Sequence, residues 1–394
     1  MRIRRGPELN NHSVIAPTIF ALSAAFCTYT LVGYPMLLWL LSRGKSRSLR
    51  KEPVETTVSV ILPVFNGERW IGAKLESILA LKYPAHLVEI IIVDDGSADA
   101  TRSIAESFAS RANVRLLALS RGGKATALNA AIAKATGEIL FFTDVRQALD
   151  PESLANLTAC FTDPAIGVVS GELIIRDSGG IEEASVGLYW KYEKWIRKRL
   201  SVVDSILGAT GCIYAMRRSL ARPLPADTLV DDMYLPLAAF FAGYRVVIDE
   251  TARAYDYPTQ LASEFRRKVR TLAGVYQVMG QYPALLGPRN RMWIHFVSHK
   301  LARLVMPWAL VTAALATPFL PVPWRLWLGG AQAVVYLLAL LDPVLPNAFP
   351  LKRITSPLRT FLVLMAASLF AVCILFLPPR MLWRETRVSH PVTK

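Results

Sequence analysis

The chain has 394 residues, 53% of them hydrophobic, and a formal net charge of +15 at pH 7. This apolar content argues against a simple soluble enzyme, and the length allows one sizeable domain together with membrane segments. Because the Lys and Arg residues gather beside apolar segments and no nucleic-acid motif is present, the charge favours contact with anionic lipid over nucleic acid. The four cysteines show no C-x-x-C spacing, which excludes a disulfide framework and a cysteine metal cluster.

Four apolar stretches are long enough to be membrane segments. Residues 14–41 form a run of about 28 residues, which is ample for one tilted helix. Residues 304–320, 326–341 and 361–377 predict further membrane helices, although the middle stretch could instead be a re-entrant or interfacial segment. Basic residues between 43 and 51 outnumber those before the first stretch, so the positive-inside bias favours a cytoplasmic middle region. Basic residues in the C-terminal tail conflict with four crossings, which leaves the number of crossings open.

Between these membrane segments, apolar runs alternate with stretches of helical spacing. Short unbroken apolar runs are typical of strands that are buried on both faces of a parallel sheet. Helical patterns separate the runs, so we expect a mostly parallel α/β sheet covered by helices on both faces. The predicted strands are residues 57–63, 88–93, 114–119 and 138–142.

Polar side chains follow three of these predicted strands directly. Asn66 and Glu68 follow the first strand, Asp94 and Asp95 the second, and Asp144 the fourth. In parallel sheets, ligands bind beyond the carboxyl ends of the strands, so we expect these side chains to lie along one edge. Each one alone could be a helix cap or a loop residue. Together they predict a ligand site in which Asp144 would meet a cation or a phosphate-bearing ligand.

Two familiar motifs are absent. Residues 122–124, Gly-Gly-Lys, open a predicted helix but lack the first glycine and the Ser or Thr of a P-loop. No G-x-G-x-x-G follows the first strand, which argues against a dinucleotide redox site. His295 and His299 have helical spacing without the glutamate of a zinc protease motif, and we interpret them as interfacial histidines.

Four later features carry chemistry or contact surface. Residues 208–211, Gly-Ala-Thr-Gly, predict a turn at which backbone can approach a ligand. Asp231 and Asp232 open a helix, and two adjacent acids exceed what one helix cap needs. Residues 182–200 predict an aromatic and basic helix that suits the membrane interface better than a sugar-stacking wall. The cationic run 264–271 is a solvated face, a lipid anchor or a clamp for pyrophosphate.

The order of these motifs resembles that of the inverting family-2 glycosyltransferases. The chain is most similar to their membrane-embedded members, the synthases of hyaluronan, chitin, cellulose and poly-N-acetylglucosamine. The resemblance covers residues 58–271 and includes Ser-His-Lys-x-x-Arg at 298–303. It implies a GT-A-like α/β fold plus transmembrane helices, in four parts. These are an N-terminal helix and basic flank (1–51), a cytoplasmic glycosyltransferase domain (52–271), interfacial amphipathic helices (272–300) and C-terminal transmembrane helices (301–394).

The resemblance also implies roles for individual residues. Asp144 matches the first acid of the D-x-D motif, which holds Mg²⁺ or Mn²⁺ against the pyrophosphate. Asp232 matches the general base, with Asp231 beside it in the catalytic pair. The residues that it assigns to nucleotide-sugar binding are Asn66, Glu68, Asp94, Asp95, Lys124, Asn129, Arg267 and Arg270.

The implied activity is inverting transfer of a sugar from a nucleotide-sugar, with a UDP-sugar expected as donor. The acceptor would be lipid-linked or a polysaccharide, at the cytoplasmic face of the inner (plasma) membrane. Membrane lipids and synthase-complex subunits are the implied partners, without nucleic acid. The alternative is a non-catalytic nucleotide-sugar-binding subunit, which would not need Asp232. Two departures bear on this choice: Arg146 replaces the second acid of D-x-D, and Thr271 replaces the Trp of Q-x-x-R-W. Processive and single transfer therefore both remain open.

Overall fold

The computed structural model describes residues 12–43, 49–111, 113–175, 181–257, 261–346 and 349–382. The described residues include an eight-stranded mixed sheet with strand order β3-β2-β1-β4-β7-β6-β8-β5. The strands are β1 Val58–Val64, β2 Val88–Asp95, β3 Val114–Leu119, β4 Ile139–Phe142, β5 Ala148–Leu149, β6 Ile166–Ile175, β7 Tyr214–Arg217 and β8 Arg245–Asp256.

Helices precede, interrupt and follow the sheet. In chain order they are α1 His12–Thr28, α2 Tyr34–Arg43, α3 Glu68–Leu79, α4 Thr101–Phe108, α5 Lys124–Lys134, α6 Ser153–Ala159, α7 Ile181–Val203, α8 Asp231–Phe241, α9 Leu261–Gln281, α10 Trp293–His295, α11 Ala302–Ala316, α12 Trp324–Leu341 and α13 Lys352–Ala371. Two π-helical turns, Tyr29–Gly33 and Phe296–Leu301, join α1 to α2 and α10 to α11.

The first four strands of the chain form one parallel part of the sheet, and β6 and β8 also pair in parallel. Strand β1 lies between β2 and β4, and β3 lies outside β2, all in parallel register. Strand β7 pairs antiparallel with both β4 and β6, and this joins the first four strands to the rest of the sheet. The α/β fold class predicted from the sequence is therefore confirmed, with antiparallel pairings on one side only.

Both faces of the sheet are buried, because successive side chains of a strand point to opposite faces. In β2, Ile91 and Val93 pack into one hydrophobic core, and Ile90 and Ile92 pack into the other. Helices α5 and α8 cover the first face, and α3, α4 and α6 cover the second. This double burial explains why the strands read as unbroken apolar runs in the sequence.

Among the described residues, four helical segments are long and apolar enough to cross a membrane: Val14–Arg43, Trp293–Phe319, Trp324–Val344 and Lys352–Leu375. They overlap the four apolar stretches predicted from the sequence. Helix α13 packs against α7 and α9, which lie beside the sheet, and α11 packs against α1. The apolar helices therefore contact the domain that contains the sheet.

Candidate functional site

A cavity of about 1220 Å³ opens at the carboxyl ends of the parallel strands. Its wall includes the end of β2, residues that follow β1, β3 and β4, the start of α5, and parts of α7 and α9. Seven of the eleven site residues predicted from the sequence line it: Asn66, Asp95, Lys124, Asp144, Asp232, Arg267 and Arg270. Asp231 is buried directly beside the cavity, and Glu68, Asp94 and Asn129 are absent from its wall.

The loops after β1 and β2 brace each other. The side-chain oxygen of Asn66 accepts a hydrogen bond from the Ala98 amide at 2.9 Å, and Glu68 accepts one from the Ala100 amide at 3.0 Å. Asn66 has φ +47°, a left-handed conformation that Asn tolerates better than most residues. Glu68 thus holds the loop after β2, whereas Asn66 both holds it and faces the cavity.

The two acids at the end of β2 have different surroundings. Asp94 is fully buried and accepts hydrogen bonds from the Ser97 amide and from Arg102 Nε at 2.8 Å. Burial raises the pKa of Asp94, but these hydrogen bonds and the Arg102 charge outweigh burial and hold the pKa below its usual range. Asp95 accepts hydrogen bonds from the Gly122 and Gly123 amides and pairs with Arg121. Asp95 therefore positions the loop that leads into Lys124.

A line of alternating charges lies at the centre of the cavity. Lys124 Nζ is 3.0 Å from an oxygen of Asp144 and 3.1 Å from an oxygen of Asp231. Burial lowers the pKa of Lys124, but the nearby carboxylates of Asp144, Asp231 and Asp232 outweigh burial and raise it. The lysine is therefore a permanent cation that joins the end of β4 to the start of α8.

Asp232 lies next to this line and is held in an unusual electrostatic environment. Burial raises the pKa of Asp232 to about 6, and the neighbouring charge of Asp231 adds to the rise. The turn at residues 208–211 approaches it closely: a Cβ on Gly211 would lie 3.0 Å from an Asp232 carboxylate oxygen. A carboxylate with a pKa near 6 is mostly ionised at neutral pH and remains a stronger base than an ordinary aspartate.

Asn129 lies outside the cavity wall. Its side-chain amide donates to the Leu224 carbonyl and accepts from the Leu224 amide, both at 2.8 Å. These two bonds tie α5 to the segment that leads to α8. The structure thus places Asn129 as a brace between elements of the site.

The two arginines predicted from the cationic run both line the cavity from α9. Arg267 is 2.6 Å from Glu264 and lies over the Trp190 ring, 4.9 Å from its centre. Burial lowers the pKa of Arg270, while the charges of Asp144 and Asp232 oppose that effect. Arg270 therefore lies within electrostatic range of the central acids, although it comes from a different helix.

Arg146, at the position of the second D-x-D acid, pairs with a carboxylate of β8. Its guanidinium makes two bonds to buried Asp256, at 3.1 and 2.6 Å, and Gln147 Nε2 donates to the same carboxylate at 2.8 Å. Fork-to-fork pairing of this kind fixes both partners. Arg146 thus connects the loop after β4 to the end of β8.

The fit of a divalent cation depends on Asp144. No group of three or more His, Cys, Asp or Glu side chains within the described ranges could hold a metal ion. The Asp144 side chain is 38% exposed toward the cavity, so one carboxylate is within reach of a ligand. Mg²⁺ commonly binds one or two carboxylates together with substrate phosphates, and this donor set fits that requirement once a diphosphate is present.

Lys74 is a site residue that the sequence reasoning missed. Its side chain is 2% exposed, and Nζ donates to Thr143 Oγ1 and to the Gln147 carbonyl, both at 2.6 Å. These residues lie on either side of Asp144, so the lysine holds that loop. Burial lowers the pKa of Lys74 to about 7. The sequence contained a signal for this position, because Lys74 has the helical spacing from Ile71 and Ile78 that places it on the buried face of α3.

Arg197 was also missed, because helix α7 was interpreted as an interfacial helix. Its guanidinium donates to Thr210 Oγ1 at 3.1 Å, to the Gly208 carbonyl at 3.2 Å and to Ser170 Oγ at 3.3 Å. All three acceptors are neutral. Arg197 therefore places a positive charge on the same turn that contacts Asp232.

The histidines expected at the interface are buried in the structure. His295 lies 3.2 Å from the Tyr34 hydroxyl, and His299 lies 3.2 Å from Glu193. Arg303 Nη2 donates to the same Glu193 at 2.6 Å. His299, Arg303 and Glu193 line the cavity at its far end, where the apolar helices begin.

Comparison with known proteins identifies relatives of this chain. Residues 59–224 match the family described as glycosyl transferase family 2. The chain is 24% identical over 262 residues to a poly-beta-1,6-N-acetyl-D-glucosamine synthase of Staphylococcus epidermidis, covering 64% of this chain and 63% of the relative. It is 26% identical over 343 residues to an N-acetylglucosaminyltransferase of Rhizobium meliloti, covering 80% and 78%. The chain thus spans less than two thirds of the length of the staphylococcal synthase.

One solved structure has the same overall arrangement. A mannosyltransferase from Pyrobaculum calidifontis, solved with GDP-Man and Mn²⁺, superposes with a TM-score of 0.71 at 24% identity. The match covers 91% of this chain and 99% of the mannosyltransferase chain. At this level of identity the comparison establishes a shared fold, and it confirms the GT-A-like class.

Proposed function

Since residues 59–224 are a glycosyl transferase family 2 domain, we propose that this chain transfers a sugar from a nucleotide-sugar donor to an acceptor hydroxyl, with inversion. The observation that carries the proposal is the line Asp144, Lys124, Asp231 with Asp232 beside it, at the carboxyl edge of a parallel sheet. A UDP-sugar is the donor that we expect. The acceptor is a lipid-linked or polysaccharide molecule.

In this proposal Asp232 is the general base. A hydroxyl is a poor nucleophile, so a carboxylate must take its proton as the oxygen attacks the anomeric carbon. The buried, partly repelled carboxylate of Asp232 suits this role because its pKa of about 6 lies close to neutral pH. Asp231 contributes by holding Lys124 and by raising the basicity of Asp232.

The leaving nucleoside diphosphate needs positive charge around it. Lys124 and Arg270 would meet its developing charge from two sides of the cavity. Asp144 would hold Mg²⁺ or Mn²⁺, which neutralises diphosphate charge when bound. Direct displacement of the diphosphate by the acceptor oxygen then inverts the anomeric centre.

The other predicted binding residues would act in two ways. Asn66, Asp95 and Arg267 line the cavity and would contact the donor. Glu68, Asp94 and Asn129 would support the loops that carry those contacts, as their hydrogen bonds indicate.

We place the catalytic domain at residues 52–271, on the cytoplasmic side of the plasma membrane. The N-terminal segment 1–51 and the C-terminal segment 301–394 would span the membrane, with 272–300 at its surface. Four helical segments of sufficient length and the basic flank at 43–51 support this arrangement. Synthase-complex subunits and membrane lipids remain proposed partners.

The test is a donor screen on the purified chain in neutral detergent. UDP-sugars and GDP-mannose, each with Mg²⁺ or Mn²⁺, are compared for their effect on Tm and then for nucleoside diphosphate release. A bound donor raises Tm by mass action, and we expect one UDP-sugar to do so. Donor binding without release, in the presence of membrane lipids and oligosaccharides, would favour the non-catalytic subunit. No effect of any donor would contradict both functions.

A further inference from the structure

The cavity extends from the strand ends into the apolar helices. Its far wall is built by residues of three segments that are long enough to cross a membrane. These residues are Leu31, Met306, Phe361, Leu364 and Met365. One continuous space therefore contains both the central acids and a hydrocarbon-lined end. A water-soluble glycan would gain little from such a wall, whereas a hydrocarbon chain would bury apolar surface there.

Cations collect where the polar and apolar parts of this cavity meet. Arg303 is paired with Glu193, and Lys268 lies 3.8 Å from Glu264. Lys300 differs from them: within the part of the chain that the structure describes, its ammonium has neither a hydrogen bond nor a direct ion pair, and the nearby carboxylate of Glu193 is already paired with Arg303. A charge in such a half-buried position is costly unless an anion meets it.

Arg197 is the second cation at this junction without a direct ion pair among the described residues: its hydrogen bonds go to neutral oxygens, while Glu193 and Asp232 act on it from farther away. Arg197 and Lys300 also line a small side cavity of about 10 Å³, which places them near each other. The turn that holds Arg197 contacts Asp232 through Gly211. An anion bound by the two cations would therefore lie close to the proposed base.

The backbone at this junction is irregular. Two π-helical turns face each other, and the Tyr29 hydroxyl lies 2.7 Å from Ser298 Oγ. Three consecutive residues, 298 to 300, line the cavity. In a regular α-helix three consecutive side chains would point over about 200° of arc, so the wider turn helps to present them together. Such π turns occur often at functional sites.

We propose that the acceptor is a lipid that carries a phosphate next to its hydrocarbon and a hydroxyl beyond that phosphate. Lys300 and Arg197 would bind the phosphate, α11 and α13 would contact the hydrocarbon, and the hydroxyl would reach Asp232. This inference rests on the proposed function. The acceptor O–H bond breaks with the proton going to Asp232, and the new bond joins that oxygen to the anomeric carbon. The bond from the anomeric carbon to the diphosphate breaks, with its electron pair leaving on the diphosphate. The lipid phosphate is unchanged.

The test measures lipid retention by native mass spectrometry of the full chain in neutral detergent. Phosphatidylglycerol offers both a phosphate and hydroxyls, and dioleoylglycerol offers a hydroxyl without phosphate. We expect retention of phosphatidylglycerol but not of dioleoylglycerol. Retention should fall about tenfold, or about 1.4 kcal/mol, in Lys300→Ala and in Arg197→Ala, because each variant loses a hydrogen-bond donor to the charged phosphate. Arg325→Ala removes one charge from exposed α12, outside the cavity wall, and should change nothing.

Lys300→Arg keeps the charge and should restore retention, which separates loss of the cation from loss of folding. Phosphatidylglycerol retention that is equal in Lys300→Ala, Arg325→Ala and the wild type would overturn the inference. A rise in Tm with inorganic phosphate that equals the rise with phosphatidylglycerol would overturn the lipid assignment. A rise in Tm with chitin oligosaccharides and none with phosphatidylglycerol would also overturn the lipid assignment. Donor-induced stabilisation is measured in parallel on each variant. If no donor stabilises the wild type or any variant, the proposed function is contradicted. Lipid retention that depends on Lys300 would still stand as a separate result.

Discussion

The two ends of the cavity differ in how their charges are matched. At the strand ends, each of Lys124, Arg121 and Arg146 is paired with a carboxylate. At the membrane end, Lys300 and Arg197 make no direct ion pair among the described residues, the nearby Glu193 is already paired with Arg303, and the adjoining wall is apolar. This difference supports the proposal of two ligands, because the excess positive charge at the membrane end favours an anionic group there.

The two ends are also held by different means. Hydrogen bonds from backbone and buried side chains fix the loops at the strand ends, with Lys74 holding the loop around Asp144. The membrane end is formed where α7 and α9 meet the apolar helices α11 and α13. We therefore expect substitutions at the strand ends to affect catalysis and stability strongly, and substitutions at the membrane end to affect acceptor binding.

The largest expected effect comes from Asp232→Asn. Removal of the proposed base should lower transfer by about 10²–10⁴-fold, since that is the usual contribution of general base catalysis. Donor binding should persist, because the amide keeps the shape of the side chain. Nucleoside diphosphate release and donor-induced change in Tm measure the two quantities. The control is Glu106→Gln, on an exposed face of α4. Unchanged release in Asp232→Asn would contradict the role of Asp232.

Arg146→Met tests how far the strand ends depend on matched charge. The change leaves the buried carboxylate of Asp256 without its two bonds to the guanidinium, and this should cost about 3–5 kcal/mol of stability. The measurement is Tm in detergent. The double variant Arg146→Met with Asp256→Asn should recover part of the loss, because the uncompensated charge is gone. A Tm equal to that of the wild type would show that the pair contributes nothing to folding.

Lys124→Met removes the cation between Asp144 and Asp231. We expect transfer to fall about 100-fold, as is typical when one group that meets developing charge is lost. Lys124→Arg retains the charge and should retain more activity. Lys134→Met lies at the exposed end of the same helix and serves as the matched control. Equal donor affinity in Lys124→Met and Lys134→Met would argue against a role of Lys124 in donor binding.

Changing the pH is expected to alter transfer less than the three substitutions above. The base must be ionised, and burial together with Asp231 raises the pKa of Asp232 to about 6. Below that pH the ionised fraction of Asp232 falls about tenfold per pH unit, and kcat/KM should fall with it. Above pH 7 kcat/KM should be constant. Initial rates from pH 4.5 to 8, with Tm measured at each pH, test this. A level rate down to pH 4.5 in folded protein would be evidence against the raised pKa.

Much of the fold could be predicted from the sequence, for a simple reason. Strands buried on both faces need unbroken apolar runs. Residues 88–93 and 138–142 contain such runs, and these lie in the two hydrophobic cores on either face of the sheet. The parallel arrangement then brings the residues after β1, β2 and β4 to one edge. This explains why Asp95 and Asp144 were correctly expected along the same edge of the sheet.

Residue type alone could not separate contact residues from supporting ones. Asp94 and Asp95 are neighbours in one strand, yet only Asp95 lies on the cavity wall, because successive side chains point in opposite directions. Asn129 has the right type for ligand binding, but the Leu224 backbone takes both of its bonding groups. These outcomes depend on which partner lies opposite each side chain, and sequence spacing does not contain that information.

By itself, the sequence determined the α/β class, the apolar segments and the order of the polar strand ends, since these follow from periodicity and chain direction. Only the tertiary structure decided that Lys124 bridges two acids from different elements, that Arg146 turns toward Asp256, and that Lys300 makes no direct ion pair among the described residues. Charge pairing depends on distances between residues that are far apart in the chain. Those distances exist only after the sheet and the apolar helices have packed together.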